Sequence, residues 1–210
     1  MTSERVREIL TDVSRRMTGR PIESERVRLR PLCAADAAAF YRILSQPEVC
    51  RLSGMPPCKS EADAKDRLEG HLATEERPPL TFAIVLKETD ETIGTFTIGI
   101  YPFIKADEAL ADKRGVSLSF MLDERFQRRG LMTELLDRAL DYYLLEEGLD
   151  FVNCGYFSFN EGSRRLQEKV GMLPYITHVF PFGDQTVETH ESILFCDQRR
   201  KQREKDLLKR

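Results

Sequence analysis

An apolar stretch followed by a helical repeat dominates the pattern of hydrophobic positions in this chain. Residues 116–122, Val-Ser-Leu-Ser-Phe-Met-Leu, form an extended and largely apolar run that is typical of a strand. After a polar, basic segment, apolar residues recur every three or four positions out to about Leu145, which is the spacing of one helix face. These residues are Leu131, Leu135, Leu136, Ala139, Leu140 and Tyr143. The pattern predicts a strand, then a loop, then a helix.

The same reasoning predicts elements on both sides of this junction. Residues 3–18 form an amphipathic helix with five apolar positions on one face. We expect this helix to pack back on the core, with a contact to a second copy or a partner as the alternative. Its apolar face consists of Val6, Ile9, Leu10, Val13 and Met17. Further strands are predicted at 27–32, 81–86, 93–100, 151–158, 175–182 and 186–195, and further helices at 35–44, 60–73 and 160–171.

Two polar segments stand apart from these elements. Residues 101–114 are predicted to be a solvated hairpin loop, with a flap over a binding site as the alternative. Residues 199–210 hold seven basic and two acidic side chains, a net charge of +5, which predicts a solvated helix or a frayed end. A contact of this tail with RNA is a weaker hypothesis, because no aromatic-rich basic patch accompanies the tail.

Composition narrows the class of protein. A chain of 210 residues with 41% hydrophobic content can fill one core, and a net charge of −3 disfavours a surface that binds polyanions. No apolar run reaches the roughly 20 residues of a membrane span, and the first residues lack the apolar centre of a signal peptide. Five cysteines without a CxxC pair and three isolated histidines disfavour a disulfide framework and a metal site. We therefore expect a cytoplasmic protein with reduced thiols, no metal and no membrane partner.

The loop between the predicted strand and helix has the chemistry of a phosphate site. The first N–H groups of a helix have no partner inside it and carry about half a positive charge. Gly130 lets a ligand approach these groups, and Arg128 and Arg129 add charges that pair with phosphate oxygens. A solvated surface turn is the alternative. The Gln127-x-x-Gly130 spacing, together with the flanking strand and helix, favours the ligand site.

Two segments resemble signatures of the GNAT acetyltransferase superfamily. Residues 127–132 resemble its acyl-CoA loop, Gln/Arg-x-x-Gly-x-Gly/Ala, and the stretch looks most like the RimJ/RimL-like branch, which acetylates the N-termini of ribosomal proteins. Arg128 stands where that branch usually has Gly, and Met132 replaces a small residue. Residues 160–172 resemble the second signature, Asn-x-x-Ser-x-x-Leu-x-x-Lys-x-Gly-Phe, with Met172 in the final aromatic position.

The resemblance covers about residues 25–197 and implies the fold. We expect an α/β (α+β type) protein with the GNAT fold, in which a mixed, mostly antiparallel sheet splays at the acyl-CoA site beside Leu122. The implied division is an extra amphipathic helix at 1–20, an N-acetyltransferase domain at 21–198 and a basic tail at 199–210.

The resemblance also implies acetyl-CoA as the acyl donor. The loop would hold the pyrophosphate, and the end of the preceding strand would pair with the pantetheine arm. A backbone N–H near Met121 or Leu122 would stabilise the oxyanion that forms when an amine attacks the thioester. The coenzyme-binding residues implied in this way are Phe120, Met121, Leu122, Gln127, Arg128, Arg129, Gly130, Leu131, Met132, Thr133, Asn160 and Ser163.

Acid and base are less well marked than the coenzyme site. Gln167 occupies the position where many family members carry a tyrosine that protonates the leaving thiolate, which leaves Ser163 as the candidate catalytic acid. Asn160 and Ser163 have helix capping as an alternative role. No base stands out, and the sequence does not rank Glu124, His71 and His178.

The acceptor is predicted to be a primary amine, preferably a protein or peptide N-terminus. Deprotonating a lysine ε-amine at pH 7 costs about 4–5 kcal/mol, against about 1.4 kcal/mol for an α-amine, and a site without an obvious base fits the cheaper step. A small-molecule amine is one alternative, and a non-catalytic CoA-binding regulatory protein is another. A monomer and a homodimer both remain compatible with the sequence.

Overall fold

The computed structural model describes residues 1–74, 78–182 and 185–209, and its strands form a seven-stranded mixed sheet. The strands are β1 (Val27–Pro31), β2 (Thr81–Leu86), β3 (Glu91–Gly99), β4 (Gly115–Leu122), β5 (Phe151–Phe157), β6 (Leu173–Phe182) and β7 (Gln185–Phe195). The helices are α1 (Ser3–Gly19), α2 (Ala37–Leu44), α3 (Pro47–Ser53), α4 (Glu61–Glu69), α5 (Pro102–Ala106), α6 (Leu131–Asp141), α7 (Glu161–Lys169) and α8 (Cys196–Leu207). Within the described ranges, no helix combines the length and the apolar character that crossing a bilayer requires.

The order of strands in the sheet is β1-β2-β3-β4-β5-β7-β6. The pairs β1–β2, β2–β3, β5–β7 and β6–β7 are antiparallel, and β4–β5 is parallel. This arrangement confirms the predicted mixed, mostly antiparallel sheet.

The chain forms two compact units, which we name by their strands. The β1–β3 unit comprises residues 11–98 and 119–135, and the β5–β7 unit comprises residues 1–10, 99–118 and 136–210. Helices α2 and α4 pack on the β1–β3 unit's strands around a buried cluster: Leu32, Phe40, Leu44, Cys50, Cys58, Ala64, Leu68, Ala83 and Val85. A second cluster in the β5–β7 unit contains Ile104, Leu110, Phe151 and Ile193.

Helix α1 forms where the sequence predicts it and buries its apolar face. Ile9, Val13 and Met17 are at most 5% exposed. The helix is also tied by polar contacts, since the N-terminal ammonium donates to the carbonyl oxygen of Lys105 at 2.9 Å and the Ser14 hydroxyl donates to the carbonyl oxygen of Pro79. The predicted packing is confirmed for these three residues, whereas Val6 and Leu10 of the predicted face are only half-buried.

The connector between β3 and β4 differs from the predicted solvated loop. It folds into α5 and a 3₁₀ turn, Glu108–Leu110, and buries Ile104 and Leu110 completely. The Tyr175 hydroxyl of β6 donates to Asp107 Oδ2 at 2.5 Å, and the ring of Phe103 packs at a tilt against that of His178 with 4.3 Å between the centroids. The apolar residues of this otherwise polar segment therefore belong to the core of the β5–β7 unit.

Helix α3 is an element that the periodicity did not predict. It has only seven residues, too few for a clear apolar repeat. Its ends do carry readable signals, because Pro47 occupies the first turn and Gly54 ends the helix at φ +71°.

The basic C-terminal segment is helical, as predicted, but it is not simply solvated. Arg199 of α8 is 2% exposed. Its Nε donates to Asp141 Oδ1 at 2.7 Å and its Nη2 donates to Asp137 Oδ1 at 2.7 Å, while Arg203 Nη2 donates to Asp141 Oδ2 at 2.7 Å. The expectation of a solvated tail is wrong at these positions, because the two aspartates of α6 pair with them.

We expect Arg199→Ala to lower the free energy of unfolding by about 2–4 kcal/mol, because the change leaves two partly buried carboxylates with one cation fewer. Arg200→Ala, the adjacent exposed position, should change it by less than about 0.5 kcal/mol. Urea denaturation at pH 7 measures both. Equal stability of the two variants would contradict the structural role of Arg199.

Candidate functional site

Strand β4 has a paired half and an unpaired half with respect to β5. The parallel register runs from Gly115–Phe151 to Leu118–Cys154, whereas β4 continues to Leu122. Residues 115–118 are buried, and residues 119–121 are half-buried or exposed. The last part of β4 therefore has backbone groups that β5 does not use.

A buried carboxylate, Asp123, holds the point where β4 ends. Its side chain is 0% exposed and accepts hydrogen bonds from Arg42 Nε at 2.8 Å, Gln46 Nε2 at 3.1 Å and the backbone N–H of Arg125 at 3.0 Å. Burial alone would raise the pKa of Asp123, but the bonds from Arg125 and Arg42 outweigh it and hold the pKa well below the ordinary value. The carboxylate is therefore ionised at neutral pH and fixes the start of the loop.

The loop itself contains two residues in the left-handed region of backbone space. Arg128 has φ +59° and Gly130 has φ +79°. A side chain in this region costs about 1–2 kcal/mol, which gives a physical reason for a glycine at either position. Arg128 nevertheless adopts the conformation, so its presence does not collapse the turn. Gln127 contributes by donating from Nε2 to the carbonyl oxygen of Leu122 at 2.8 Å, which closes the loop on the strand.

Helix α6 begins directly after Gly130, and its first backbone N–H groups come before the first hydrogen bond of the helix. The N–H of Glu134 bonds to the carbonyl oxygen of Gly130 at 3.1 Å, so the N–H groups of residues 131–133 precede that bond. Among the described residues, a Cβ placed on Gly130 would have one neighbouring atom within 4 Å, Arg26 Nη2 at 3.5 Å. The space above these amides is therefore open on the glycine side.

Arg26 is a residue of this site that sequence reasoning missed. Its backbone N–H and its Nε donate to the two carboxylate oxygens of Glu134, each at 2.7 Å, and its Nη1 donates to the carbonyl oxygen of Arg129 at 3.1 Å. These bonds tie the loop and the first turn of α6 to the chain just before β1. No spacing in the sequence links positions 108 residues apart.

The start of α7, in the β5–β7 unit, has a defined hydrogen-bond order. Asn160 caps the helix, with its Oδ1 accepting from the N–H of Ser163 at 3.0 Å, which is the capping role foreseen for it. Gln167 Nε2 donates to Ser163 Oγ at 3.0 Å. Gln167 is fully buried, and among the described residues its Oε1 has no hydrogen-bond partner. Since Ser163 Oγ already accepts a bond, its hydroxyl proton is available to another acceptor.

The candidate bases occupy unlike places. Glu124 is exposed, His71 Nδ1 lies 3.2 Å from Thr81 Oγ1, and the ring of His178 packs at a tilt against that of Phe103. Among the residues that the structure describes, no group of three or more His, Cys, Asp or Glu side chains is arranged to hold a metal ion.

The sequence of this chain matches a known protein family over most of its length. A model of the acetyltransferase (GNAT) domain matches residues 26–173, which include β1, the loop and α7. This chain belongs to the GNAT acetyltransferase family. Membership makes it an acetyl-CoA-dependent acyltransferase, as the resemblance of the two signatures implied.

Relatives of this GNAT protein include one sequence and many structures. The uncharacterized N-acetyltransferase YoaA of Bacillus subtilis (strain 168) is 28% identical over 152 residues, which are 71% of this chain and 81% of YoaA. RimL, a ribosomal L7/L12 alpha-N-protein acetyltransferase in complex with coenzyme A, superposes with a TM-score of 0.67 at 15% identity, covering 85% of this chain and 99% of RimL. A spermidine N-acetyltransferase from Vibrio cholerae, in complex with CoA and spermine, gives a TM-score of 0.65 at 15% identity over 83% and 98% of the two chains.

The two structural likenesses show the GNAT fold. One of these proteins acts on a protein α-amine and the other is named for a polyamine, so the fold alone leaves the acceptor open. The predicted family is thus confirmed, and the RimJ/RimL-like branch stays a prediction.

We expect Asp123→Asn to lower the free energy of unfolding by about 2–3 kcal/mol at pH 7, because Arg42 and Arg125 lose a charged acceptor. The folded-state pKa of Asp123 is depressed, so its contribution is present above about pH 4 and is lost as the pH falls further. The difference between wild type and Asp123→Asn should therefore shrink in acid.

Glu124→Gln, at the adjacent exposed position, is the matched control and should change stability by less than about 0.5 kcal/mol. Chemical denaturation at pH 7 and pH 3 measures these differences. A gap between wild type and Asp123→Asn that is the same at both pH values would show that the charge of Asp123 is not what stabilises the junction.

Proposed function

We propose that this GNAT enzyme transfers the acetyl group of acetyl-CoA to a primary amine, preferably a protein or peptide N-terminus, by direct attack of the amine on the thioester. The observation that carries the proposal is the junction of β4 and α6. There, a left-handed glycine stands directly before the first amides of an 11-residue helix.

In this proposal the pyrophosphate of CoA binds the amides of residues 128–133. The dipole of α6 and its first N–H groups favour an anion at this end, and no Cβ at position 130 blocks its approach. Glu134 would oppose an anion, but Arg26 pairs with both of its carboxylate oxygens. Arg128 and Arg129 are exposed and supply further positive charge at the loop.

The pantetheine arm is proposed to lie along the backbone of Phe120, Met121 and Leu122. This part of β4 lies beyond the register with β5, so an amide-bearing ligand can add to it as a strand would. An N–H of Met121 or Leu122 is the proposed donor to the oxyanion.

Ser163 is proposed to protonate the leaving sulfur, with Asn160 holding the turn that presents it. The hydrogen bond from Gln167 Nε2 occupies a lone pair of Ser163 Oγ and directs the hydroxyl proton elsewhere. Gln167 therefore does not replace the missing tyrosine as an acid. Instead, it orients the hydroxyl of Ser163, which is the proposed acid. This order of donors argues against a regulatory protein that has lost catalysis.

A protein α-amine is the proposed acceptor because of its acidity. An α-ammonium loses its proton near pH 8, about two units below a lysine side chain, so more of it is neutral at physiological pH. RimL, whose fold this chain shares, acts on a protein α-amine.

We expect Gly130→Glu to weaken CoA binding roughly 30- to 1000-fold, because the variant puts a side chain and a negative charge where the phosphates would bind. Arg129→Ala should weaken binding by about tenfold or less, since it removes one solvated charge and leaves the amides in place. ADP, which has a pyrophosphate but no arm, should bind more weakly than CoA and should also lose affinity in Gly130→Glu.

Isothermal titration calorimetry measures these affinities, and circular dichroism checks that each variant is folded. A folded Gly130→Glu protein that binds CoA as tightly as wild type would exclude the loop as the pyrophosphate site. Equal affinities of wild type for CoA and ADP would exclude the contact between β4 and the arm.

We expect a peptide with a free N-terminus to show a kcat/KM at least about tenfold above that of a peptide whose only amine is a lysine side chain, because of the difference in acidity. The same peptide with a blocked N-terminus is the control, and spermidine tests a polyamine. Ser163→Ala should lower kcat about 100-fold with little change in CoA affinity.

The measurement is thiol release at pH 7.5 with each acceptor. A preference for spermidine would show that the acceptor is a small-molecule amine and not a protein N-terminus. An unchanged kcat in Ser163→Ala would exclude Ser163 as the acid and leave it as a capping residue.

A further inference from the structure

Two hydroxyl groups and an imidazole form a hydrogen-bonded row in the β1–β3 unit. Thr81 of β2 and Thr97 of β3 are opposite each other in register, and their hydroxyl oxygens lie 3.1 Å apart. Thr81 Oγ1 also lies 3.2 Å from Nδ1 of His71, which follows the end of α4 at Glu69. A hydroxyl both donates and accepts, so this row can pass a proton from one end to the other.

The middle of the row is buried and its two ends are not. Thr81 is 4% exposed, whereas His71 and Thr97 are half-buried. A proton that enters at one end and leaves at the other would therefore cross the interior through a hydroxyl of the protein.

The pairing of β3 with β4 places Thr97 beside the last part of β4. The N–H of Asp123 donates to the carbonyl oxygen of Ile93 at 2.9 Å, and the rings of Phe96 and Phe120 stack with 6.4 Å between centroids. Residue numbers fall along β4 as they rise along β3, so both contacts fit one antiparallel register. The next pair in that register is Thr97 with the exposed Ser119.

Apolar packing independently brings His71 and the end of β4 together. Met121 and Leu72, the residue after His71, both pack against the buried cluster under α2 and α4. The ring of Phe40, a member of that cluster, lies 6.0 Å from the ring of His71. Because side chains alternate along a strand, Met121 shares its face of β4 with Ser119, the residue opposite Thr97. The hydroxyl row therefore lies on the same side of the sheet as Met121.

This placement puts the Thr97 end of the row next to the proposed site of reaction. The register of β4 with β5 ends at Leu118, so Ser119 is the first residue beyond it. In the proposed function the pantetheine arm follows the backbone from Phe120 to Leu122, and the thioester carbonyl lies at an N–H of Met121 or Leu122. Thr97 is then a hydroxyl on the strand adjacent to the thioester.

We propose that Thr97, Thr81 and His71 form a proton path that carries a proton from the ammonium group of the acceptor to the imidazole. The inference rests on the proposed acetyl transfer and deepens it, because it supplies the base. In this path Thr97 contacts the acceptor, and Thr81 and His71 act through Thr97. An imidazole suits the far end, since histidine ordinarily exchanges protons near neutral pH.

The step balances as three coupled transfers. The ammonium gives a proton to Thr97 Oγ1, Thr97 gives its own to Thr81 Oγ1, and Thr81 gives its own to His71 Nδ1. The freed lone pair of the nitrogen forms the bond to the acetyl carbon. As the carbon–sulfur bond breaks, the nitrogen loses a second proton and the sulfur gains one. The products are an amide, a thiol and a proton on His71, which then passes to solvent.

The test removes the oxygen of each threonine while keeping its shape. Thr81→Val and Thr97→Val should each lower kcat about 100-fold, within the usual contribution of acid–base catalysis. Thr81→Ser and Thr97→Ser keep a hydroxyl and should recover most of that loss. Thr95→Val, the same change at a buried threonine of β3 outside the path, should match wild type. Thiol release is measured with whichever acceptor of the panel above the wild type acetylates fastest.

A double variant distinguishes a path from separate structural roles. His71→Gln should lower kcat as much as Thr81→Val, and the two changes together should cost no more than either alone, because one break interrupts the whole path. Calorimetric titration should give the wild-type affinity for CoA in all these variants, since the path does not include the loop between β4 and α6.

The outcomes separate the two proposals. Wild-type kcat in Thr81→Val, serine variants as slow as the valine variants, or multiplying losses in the double variant would each overturn the path and leave acetyl transfer in place. Absence of turnover in the wild type with every acceptor would overturn the proposed function and the path together.

Discussion

One ionised carboxylate, that of Asp123, holds together the junction on which the loop between β4 and α6 depends. It lies where β4 ends, has no exposed surface, and accepts bonds from three directions. Its own N–H donates to the carbonyl oxygen of Ile93 at 2.9 Å, so the backbone of Asp123 is also bonded to β3. Because a buried charge is tolerated only with its partners in place, the positions of Arg42 and Arg125 are set by the same constraint. The loop can then adopt left-handed turns without shifting the strand.

A second buried carboxyl, that of Glu191 in the middle of β7, contrasts with Asp123. Asp123 has cationic partners and is kept ionised, whereas Glu191 has only a neutral donor, so burial determines its protonation. The first arrangement suits a structural group that should not respond to pH near neutrality.

Local sequence signals predicted most of the elements, and non-local contacts account for what they missed. Alternation and helical spacing were sufficient for β4, α6, α7 and the amphipathic α1, because each element has its pattern within its own residues. Helix α3 was not predicted because it is only seven residues long. The fold of the connector was not predicted because its contacts are with residues distant in sequence, such as Tyr175. The charge of Arg199 suggested solvent, and only the position of two aspartates on α6 makes its burial understandable.

The bonds of Arg26 mean that the conformation of the loop between β4 and α6 does not depend on the residues of the loop alone. A transplant of residues 122–135 into the strand–helix junction of another protein would carry the glycine and the helix amides. It would leave Glu134 without its cation and Arg129 without the donor to its carbonyl. The transplanted loop would then be followed by an uncompensated carboxylate in the first turn of its helix. Residues 122–135 would therefore keep their conformation in another protein only if Arg26, which lies outside them, were transferred as well.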